Sequence, residues 1–425
     1  MSCFVFDNKI LDLADKAEKM SRSAFLKINK QSELHQQRVL KAFIDQRVSS
    51  GHFFASTGYG YNDYGRDCID KVFAQVLCGE DAIVRHNFAS GTHAITTALF
   101  GVLRPGDKML SITGEPYDTL MSVIGFRGGD DCSNSLGSLK DFGIDYSQVD
   151  FCNDSFDINK IKTILKEQKN IKLVYIQRSK GYSFRRSLST TQIKNVSAIV
   201  KSISPQSIIM CDNCYCEFVE TIEPLYVGAD LVAGSLIKNP GGGIAPCGGY
   251  IAGKKKLINQ CANRFTNPGV GKEMGATLGL NKKILMGVFN APIVTGEALK
   301  TAIFAAAIFE ILSFEVNPNF GEARFDIVQA IKLKNEKSLL AFCRGIQKAS
   351  PIDSFVTPEP WFMPGYDCKV VMAAGTFNQG SSIELSADAP LKDPFTVWVQ
   401  GSLNFFCGKI AILSGLQELF NEGCL

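Results

Sequence analysis

The 425-residue sequence predicts an α/β fold, with a large domain on a mostly parallel sheet and a smaller C-terminal α/β domain. Two observations carry that expectation. Short apolar runs alternate with helical runs through the middle of the chain, as βαβ units require. Polar clusters recur just after those runs, at the strand ends where parallel sheets bind ligands. The length suffices for a large core and two domains, expected here as an N-terminal helical segment (1–55), a large domain (56–300) and a smaller one (301–425).

From the N-terminus, residues 1–50 read as helices, because LDLADKAEKMSR and the charged run Gln36 to Arg47 keep helical periodicity with few breakers. STGYGYNDYGRDCID follows, a loop with strong turn chemistry. The pattern turns helical again from Lys71 to Gly79. Ala82–Val84 reads as a strand leading into a helix Gly91–Leu103, and Lys108–Ile112 as a strand before a helix near Asp118. Next come the strand Lys172–Ile176, the helix Thr190–Ser202 and the strand Ser207–Met210. An apolar strand, Ala229–Ile237, then ends at Lys238. Residues 255–330 read as mostly helical, with an Ala-rich helix Gly296–Ser313. The remainder holds a helix Glu336–Lys348, strand-like runs Cys368–Ala374 and Ser382–Ser386, and a final helix Gly401–Leu419.

Composition excludes several classes. The 45 basic and 42 acidic residues leave a net charge of +3, without the basic excess of a dedicated nucleic-acid binder. Hydrophobic residues make up 45% and charged residues 20%, the profile of a globular enzyme. The 14 cysteines form no repeating framework and read as reduced cytosolic thiols. The N-terminus lacks the apolar region of a secretory signal. The longest apolar stretch, Ala302–Phe314, is broken by Glu310 and too short to span a bilayer. A soluble cytoplasmic protein with no membrane or nucleic-acid partner is expected.

The chemistry concentrates between Cys211 and Gly249. Lys238 ends an apolar run and precedes Asn239-Pro240-Gly241-Gly242-Gly243. Burial depresses an ammonium's pKa, and a neutral amine forms a Schiff base with an aldehyde. A phosphate-loop lysine is the alternative, but that pattern places its glycines before the lysine. Asp212 ends the apolar run Ile208–Met210, where it is either a turn residue or the partner of a protonated pyridine nitrogen. Together the two point to a pyridoxal 5'-phosphate (PLP) site.

Other strand ends supply candidates of their own. Ser90-Gly91-Thr92 opens a helix and can present N–H groups and hydroxyls to a phosphate, or serve as a plain N-cap. His93 either stacks on a ring or packs in the first helical turn. Ser235 lies three residues before Lys238 and could reach the same phosphate. Tyr117 could stack on the cofactor ring. Arg178 could pair with a carboxylate or make an ordinary ion pair. Cys211, Cys214 and Cys216 form only half of a zinc site, so no metal is expected.

YGYNDYGRD, ASGTHAITTALFGVLRPGD, GEPYDTL, QRSKGYSFR, CDNCYCEF and GSLIKNPGGGIAPCGGYIAG stand in that order. The set resembles the aluminium-resistance or methionine gamma-lyase-related group, cystathionine beta-lyase-like enzymes of the PLP-dependent transferase fold type I. The resemblance runs from about Ser56 to beyond Pro292. It implies that Lys238 is the Schiff-base lysine and Asp212 the partner of the pyridine nitrogen. Ser90, Gly91, Thr92 and Ser235 would hold the phosphate, with Tyr117 on the ring. Tyr59, Tyr61 and Arg66 would reach the phosphate of a neighbouring subunit, implying a homodimer or homotetramer with shared active sites. The implied reaction is carbon–sulfur elimination from a sulfur-containing amino acid. One departure stands out: the family's substrate-carboxylate arginine has no counterpart in Gly375 to Pro390, which leaves Arg178, Arg185 or another residue for that role. Aminotransfer, aldol cleavage and a PLP-binding stress-response role remain the alternatives.

Overall fold

A computed structural model describes residues 3–125, 136–152, 154–363 and 368–425. It begins with α1 (Asn8–Asp45), a single 38-residue helix where the sequence suggested separate stretches. The buried residues Ile10, Ala14, Ala17 and Ser21, then Ser32, His35, Val39 and Ala42, recur every three or four positions. That is the stripe a surface helix turns inward.

The large domain is built on seven strands: β1 (Asp81–Arg85), β2 (Lys108–Ser111), β3 (Asp145–Gln148), β4 (Ile171–Gln177), β5 (Ile208–Asp212), β6 (Leu231–Ser235) and β7 (Gly249–Gly253). Their order is β1-β7-β6-β5-β4-β2-β3, and β7 alone runs against the rest. The interleaved helices are α2 (Tyr64–Val76), α3 (Gly91–Val102), α4 (Asp118–Ile124), α5 (Ile158–Glu167), α6 (Thr190–Ile203) and α7 (Lys255–Phe265). Alternate residues feed opposite faces: Ile209 and Cys211 join one core, Ile208 and Met210 the other. A parallel sheet covered on both faces needs apolar residues at every position, hence the continuous apolar runs.

Helix α8 (Asn281–Ile311) crosses the domain boundary expected at residue 300. Its first half, with Ile284 and Val288, packs in the large-domain core; Phe304 and Phe309 belong to the C-terminal core. It is long and apolar enough to cross a membrane, but 83% of its apolar window is buried within the fold, much of it along α1.

The C-terminal sheet is antiparallel, in the order β8 (Val316–Asn317), β9 (Val328–Lys332), β13 (Thr396–Gln400), β12 (Ser386–Pro390), β11 (Lys369–Ala373), β10 (Trp361–Phe362). Helices α9 (Glu336–Lys348) and α10 (Phe405–Asn421) pack on each other beside it. Three local expectations change. The strand expected at Ser382–Ser386 begins at Ser386 instead, because Glu384 turns to accept the N–H groups of Phe377 (2.6 Å) and Asn378 (3.0 Å). The region 255–330 contains β8 and β9 as well as helices. Strand β6 stops at Ser235, three residues short of Lys238.

Candidate active site

The register sets one edge of the large sheet as a working surface. Gln177 at the end of β4 lies opposite Asp212 at the end of β5, and Asp212 lies opposite Ala233 in β6. The loops after these strands, and those after β1 and β2, all open at that edge.

Lys238 follows the turn after β6 and is half-buried. The glycines behind it are demanded by close approach: a Cβ on Gly241 would fall 1.6 Å from the Leu236 carbonyl oxygen. The Lys238 Nζ sits 3.9 Å from the centroid of the Tyr215 ring. Burial works against its charge, yet Cys214, Tyr215, Asp212 and Glu217 crowd around it, and the balance raises its pKa. This reverses the sequence expectation of a depressed amine. Burial was foreseen; the acidic and aromatic neighbours that outweigh it were not.

Asp212 is 8% exposed. Its Oδ1 accepts the Cys214 N–H (3.0 Å), and its Oδ2 the Tyr175 hydroxyl (3.4 Å). Burial raises the carboxyl's pKa against the opposing pull of Lys238 and those donors. A cationic N–H group placed nearby would restore the carboxylate.

At the other end, Ser90 caps α3 by accepting the His93 N–H (3.0 Å). The Thr92 and Thr119 hydroxyls pair at 2.8 Å. Ser235 faces this helix start, and a Cβ on Gly91 would stand 3.2 Å from Ser235 Cβ and 3.4 Å from Cys214 Sγ. His93 takes its packing role: Nδ1 accepts the Ala89 N–H, and the ring sits edge-on to Phe88.

A cavity of about 190 Å³ joins these parts, lined among others by Ser90, Gly91, Thr92, Tyr117, Asp212, Ser235 and Lys238. The donor set fits PLP: a half-buried amine, a carboxylate that a cation would charge, and a hydroxyl-rich helix start for the phosphate. Tyr117 donates its backbone N–H to Gln177 Oε1 (2.6 Å) and meets the Tyr182 ring edge-on at 5.8 Å. The Tyr182 hydroxyl in turn reaches Asp388 Oδ2 (2.9 Å) from the C-terminal domain. Cys214 and Tyr215 also line the cavity, and sequence reasoning missed both. The signal lies in Asp-Asn-Cys-Tyr directly after a strand, where side chains face the ligand edge of the sheet. Burial pushes the Cys211, Cys214 and Cys216 thiols up, keeping them protonated.

Arg178 does not line this cavity, and neither do Arg66, Tyr59 and Tyr61, which were expected at the phosphate of a neighbouring subunit. Arg178 is fully buried and donates to Leu188 O, Asn213 Oδ1, Cys216 O and Glu220 Oε2, a structural network behind the strand ends. The apolar setting requires such pairing, so this guanidinium is not directed into the cavity. Arg66 is 1% exposed and donates to the carbonyls of Gly60, Gly275 and Glu273. Tyr59 and Tyr61 stack at 5.6 Å on the exposed loop that Arg66 holds. A second cavity of about 440 Å³ adjoins the first through Tyr117, Gln177 and Gly181, and Lys180, Arg185 and Lys392 also line it.

A sequence profile described as methionine gamma-lyase matches residues 10–420. The uncharacterized Bacillus subtilis protein YnbB is 48% identical over 392 residues, 92% of each chain. The crystal structure of a carbon-sulfur lyase involved in aluminum resistance from Clostridium novyi is 48% identical, with a TM-score of 0.93 over 97% of this chain and 96% of that one. L-methionine gamma-lyase of Treponema denticola is 27% identical over 247 residues, 57% of this chain and 54% of that protein. The PLP-dependent YhfS protein of Escherichia coli, 14% identical with a TM-score of 0.61 over 93% of this chain and 97% of its own, shares the fold.

Proposed function

The chain belongs to the methionine gamma-lyase family and is a PLP-dependent carbon–sulfur lyase; from that premise we propose that it eliminates a thiol from the β- or γ-carbon of a sulfur-containing amino acid. The observation that carries the reading is the convergence of Lys238, Asp212, Tyr117 and the Ser90–Thr92 helix start on one cavity.

When bound, PLP supplies an electron sink for negative charge at the substrate α-carbon. In our reading Asp212 holds the proton on the pyridine nitrogen, Ser90, Gly91, Thr92 and Ser235 grip the phosphate, and Tyr117 covers the ring. Lys238 would hold the cofactor and, once the substrate amino group displaces it as a neutral amine, would take the α-proton and deliver it to the departing sulfur, which leaves as the thiol. The substrate carboxylate faces the adjoining cavity, where Arg185, Lys180 and Lys392 supply positive charge in place of the arginine missing from Gly375 to Pro390.

We further propose a homo-oligomer with shared active sites. Tyr59 and Tyr61 are 68% and 55% exposed, and α8 shows Met286, Phe289 and Ile293 on one exposed face. Exposed apolar groups gathered like this mark an interface. Arg66 then acts by shaping the loop that carries the tyrosines. A cytoplasmic location and a role in aluminium resistance, the setting named for the Clostridium novyi protein, complete the proposal.

Product analysis tests the reaction. Cystathionine, methionine and cysteine conjugates should yield keto acid, ammonia and thiol in equal amounts. Stoichiometric transfer of the amino group to an added keto acid, without thiol release, would contradict it.

A further inference from the structure

Asp326 stands just before β9 in the C-terminal domain and is 1% exposed. Its Oδ2 accepts the Ser179 hydroxyl (2.9 Å), the Lys180 N–H (3.3 Å) and the Ser187 hydroxyl. Its Oδ1 accepts the Val328 N–H (3.1 Å). Ser179 and Ser187 lie near opposite ends of the loop that joins β4 to α6. One carboxylate of the C-terminal domain thus fastens both ends of a large-domain loop. Four donors answer the demand of a carboxylate taken out of water, and hydrogen bonds to an ionised acceptor are the strong ones.

That loop forms the wall shared by the cofactor cavity and its neighbour. Gly181 lines both, and a Cβ on it would stand 3.3 Å from Gln177 Nε2 and 3.5 Å from Tyr117 Cδ2. Tyr182 packs between Tyr117 and Trp398, with ring centres 5.8 and 5.2 Å away. Arg185 lines the second cavity and is braced by the carbonyls of Gln177 (3.0 Å) and Ser179 (2.6 Å), so its position follows that of Ser179. Lys180 is tied to Asn317 O and Oδ1 in β8 (2.9 and 3.1 Å). Burial lowers the Lys180 pKa to about 8; Asp326 opposes that fall, while Arg324, Arg185 and Arg186 add to it. Asp326 therefore acts on this loop both by geometry and by charge, without lining either cavity itself.

We propose that Asp326 is a positioning residue for the substrate carboxylate, fixing the loop 179–187 so that Arg185 and Lys180 face an amino acid bound beside Tyr117. The inference rests on the reading above that the carboxylate faces the second cavity. Two oxyamines test it on the PLP-loaded protein without any turnover. Aminooxyacetate and methoxyamine each displace the Lys238 amine from the cofactor's aldehyde carbon and form an oxime, followed as loss of the visible band. Only aminooxyacetate carries a carboxylate. The native protein should react faster with aminooxyacetate. Asp326→Asn should cut that rate by about tenfold or more, the scale of a small misplacement of binding groups, and leave the methoxyamine rate unchanged. Ser187→Ala, which removes one donor outside both cavities, should shift the ratio the same way by less. If Asp326→Asn fails to fold, Ser187→Ala decides. A ratio unchanged in the folded variants, or both rates altered in parallel, would overturn the role of Asp326 alone. A native protein with no preference for aminooxyacetate would overturn the carboxylate reading and this inference with it.

Discussion

The Lys238 ammonium lies 3.9 Å from the centre of the Tyr215 ring, and Tyr215 holds that position in the left-handed region at φ 70°. A non-glycine residue there is strained, and such strain concentrates at functional sites. The ring face stabilises the charged amine by about 0.5–2 kcal/mol. Tyr215→Leu should therefore lower the Lys238 pKa by about 0.4–1.5 units, while Tyr215→Phe keeps it. The pH dependence of borohydride trapping at Lys238 measures this, and an unchanged midpoint in Tyr215→Leu would contradict the assignment.

Gly91→Ala tests the phosphate end. The added methyl group would press on Ser235 and Cys214, an overpacking cost of about 1–3 kcal/mol. We expect PLP affinity to fall by about tenfold or more, at 1.4 kcal/mol per decade, with far-ultraviolet circular dichroism unchanged. A wild-type dissociation constant would show that the phosphate does not sit between α3 and Ser235.

Arg178→Met separates structure from binding. It would strand Glu220 and leave Glu223, 4.0 Å from the guanidinium, without its cation. Breaking a buried pair from one side costs about 3–5 kcal/mol, so denaturant midpoints should drop sharply. Arg185→Met should instead raise KM with a smaller loss of stability. The opposite pattern would return Arg178 to the substrate site.

Glu217 carries a pH dependence. Burial raises its carboxyl to about 8, although the Tyr250 hydroxyl donates to Oε1 at 2.6 Å. Between the unfolded carboxylate range and about 8, the native state keeps a proton that the unfolded chain has released. This contribution to stability is thus complete at acid pH and is lost as pH rises through that window, by at most about 1.4 kcal/mol per unit. Glu217→Gln should flatten the decline in urea-measured stability between mildly acid and mildly alkaline buffer. Parallel profiles for the two proteins would refute it.

Much of this was legible beforehand because the signals were local. Parallel strands covered on both faces must be apolar throughout, so β4 and β5 announced themselves and Asp212 could be placed at a strand end. The helix start at Ser90–Thr92 and the glycines after Lys238 were equally readable. Strand β7 was hidden, since its glycines carry little strand propensity and it forms only by pairing with β1 and β6. The burial of Arg178 and Arg66 was also invisible, because their partners lie up to 209 residues away in the chain. A charge and its neighbours meet only in the fold. That is why the direction of the Lys238 pKa shift is not legible in the sequence.

Lys238 is assigned here as the residue that carries the cofactor. The purified protein supplied with PLP should show a visible absorption band, and borohydride should fix the cofactor on the peptide containing Lys238. Lys238→Ala should lose both the band and the labelled peptide. A colourless wild-type protein, or a Lys238→Ala variant that keeps the full band, would contradict the account.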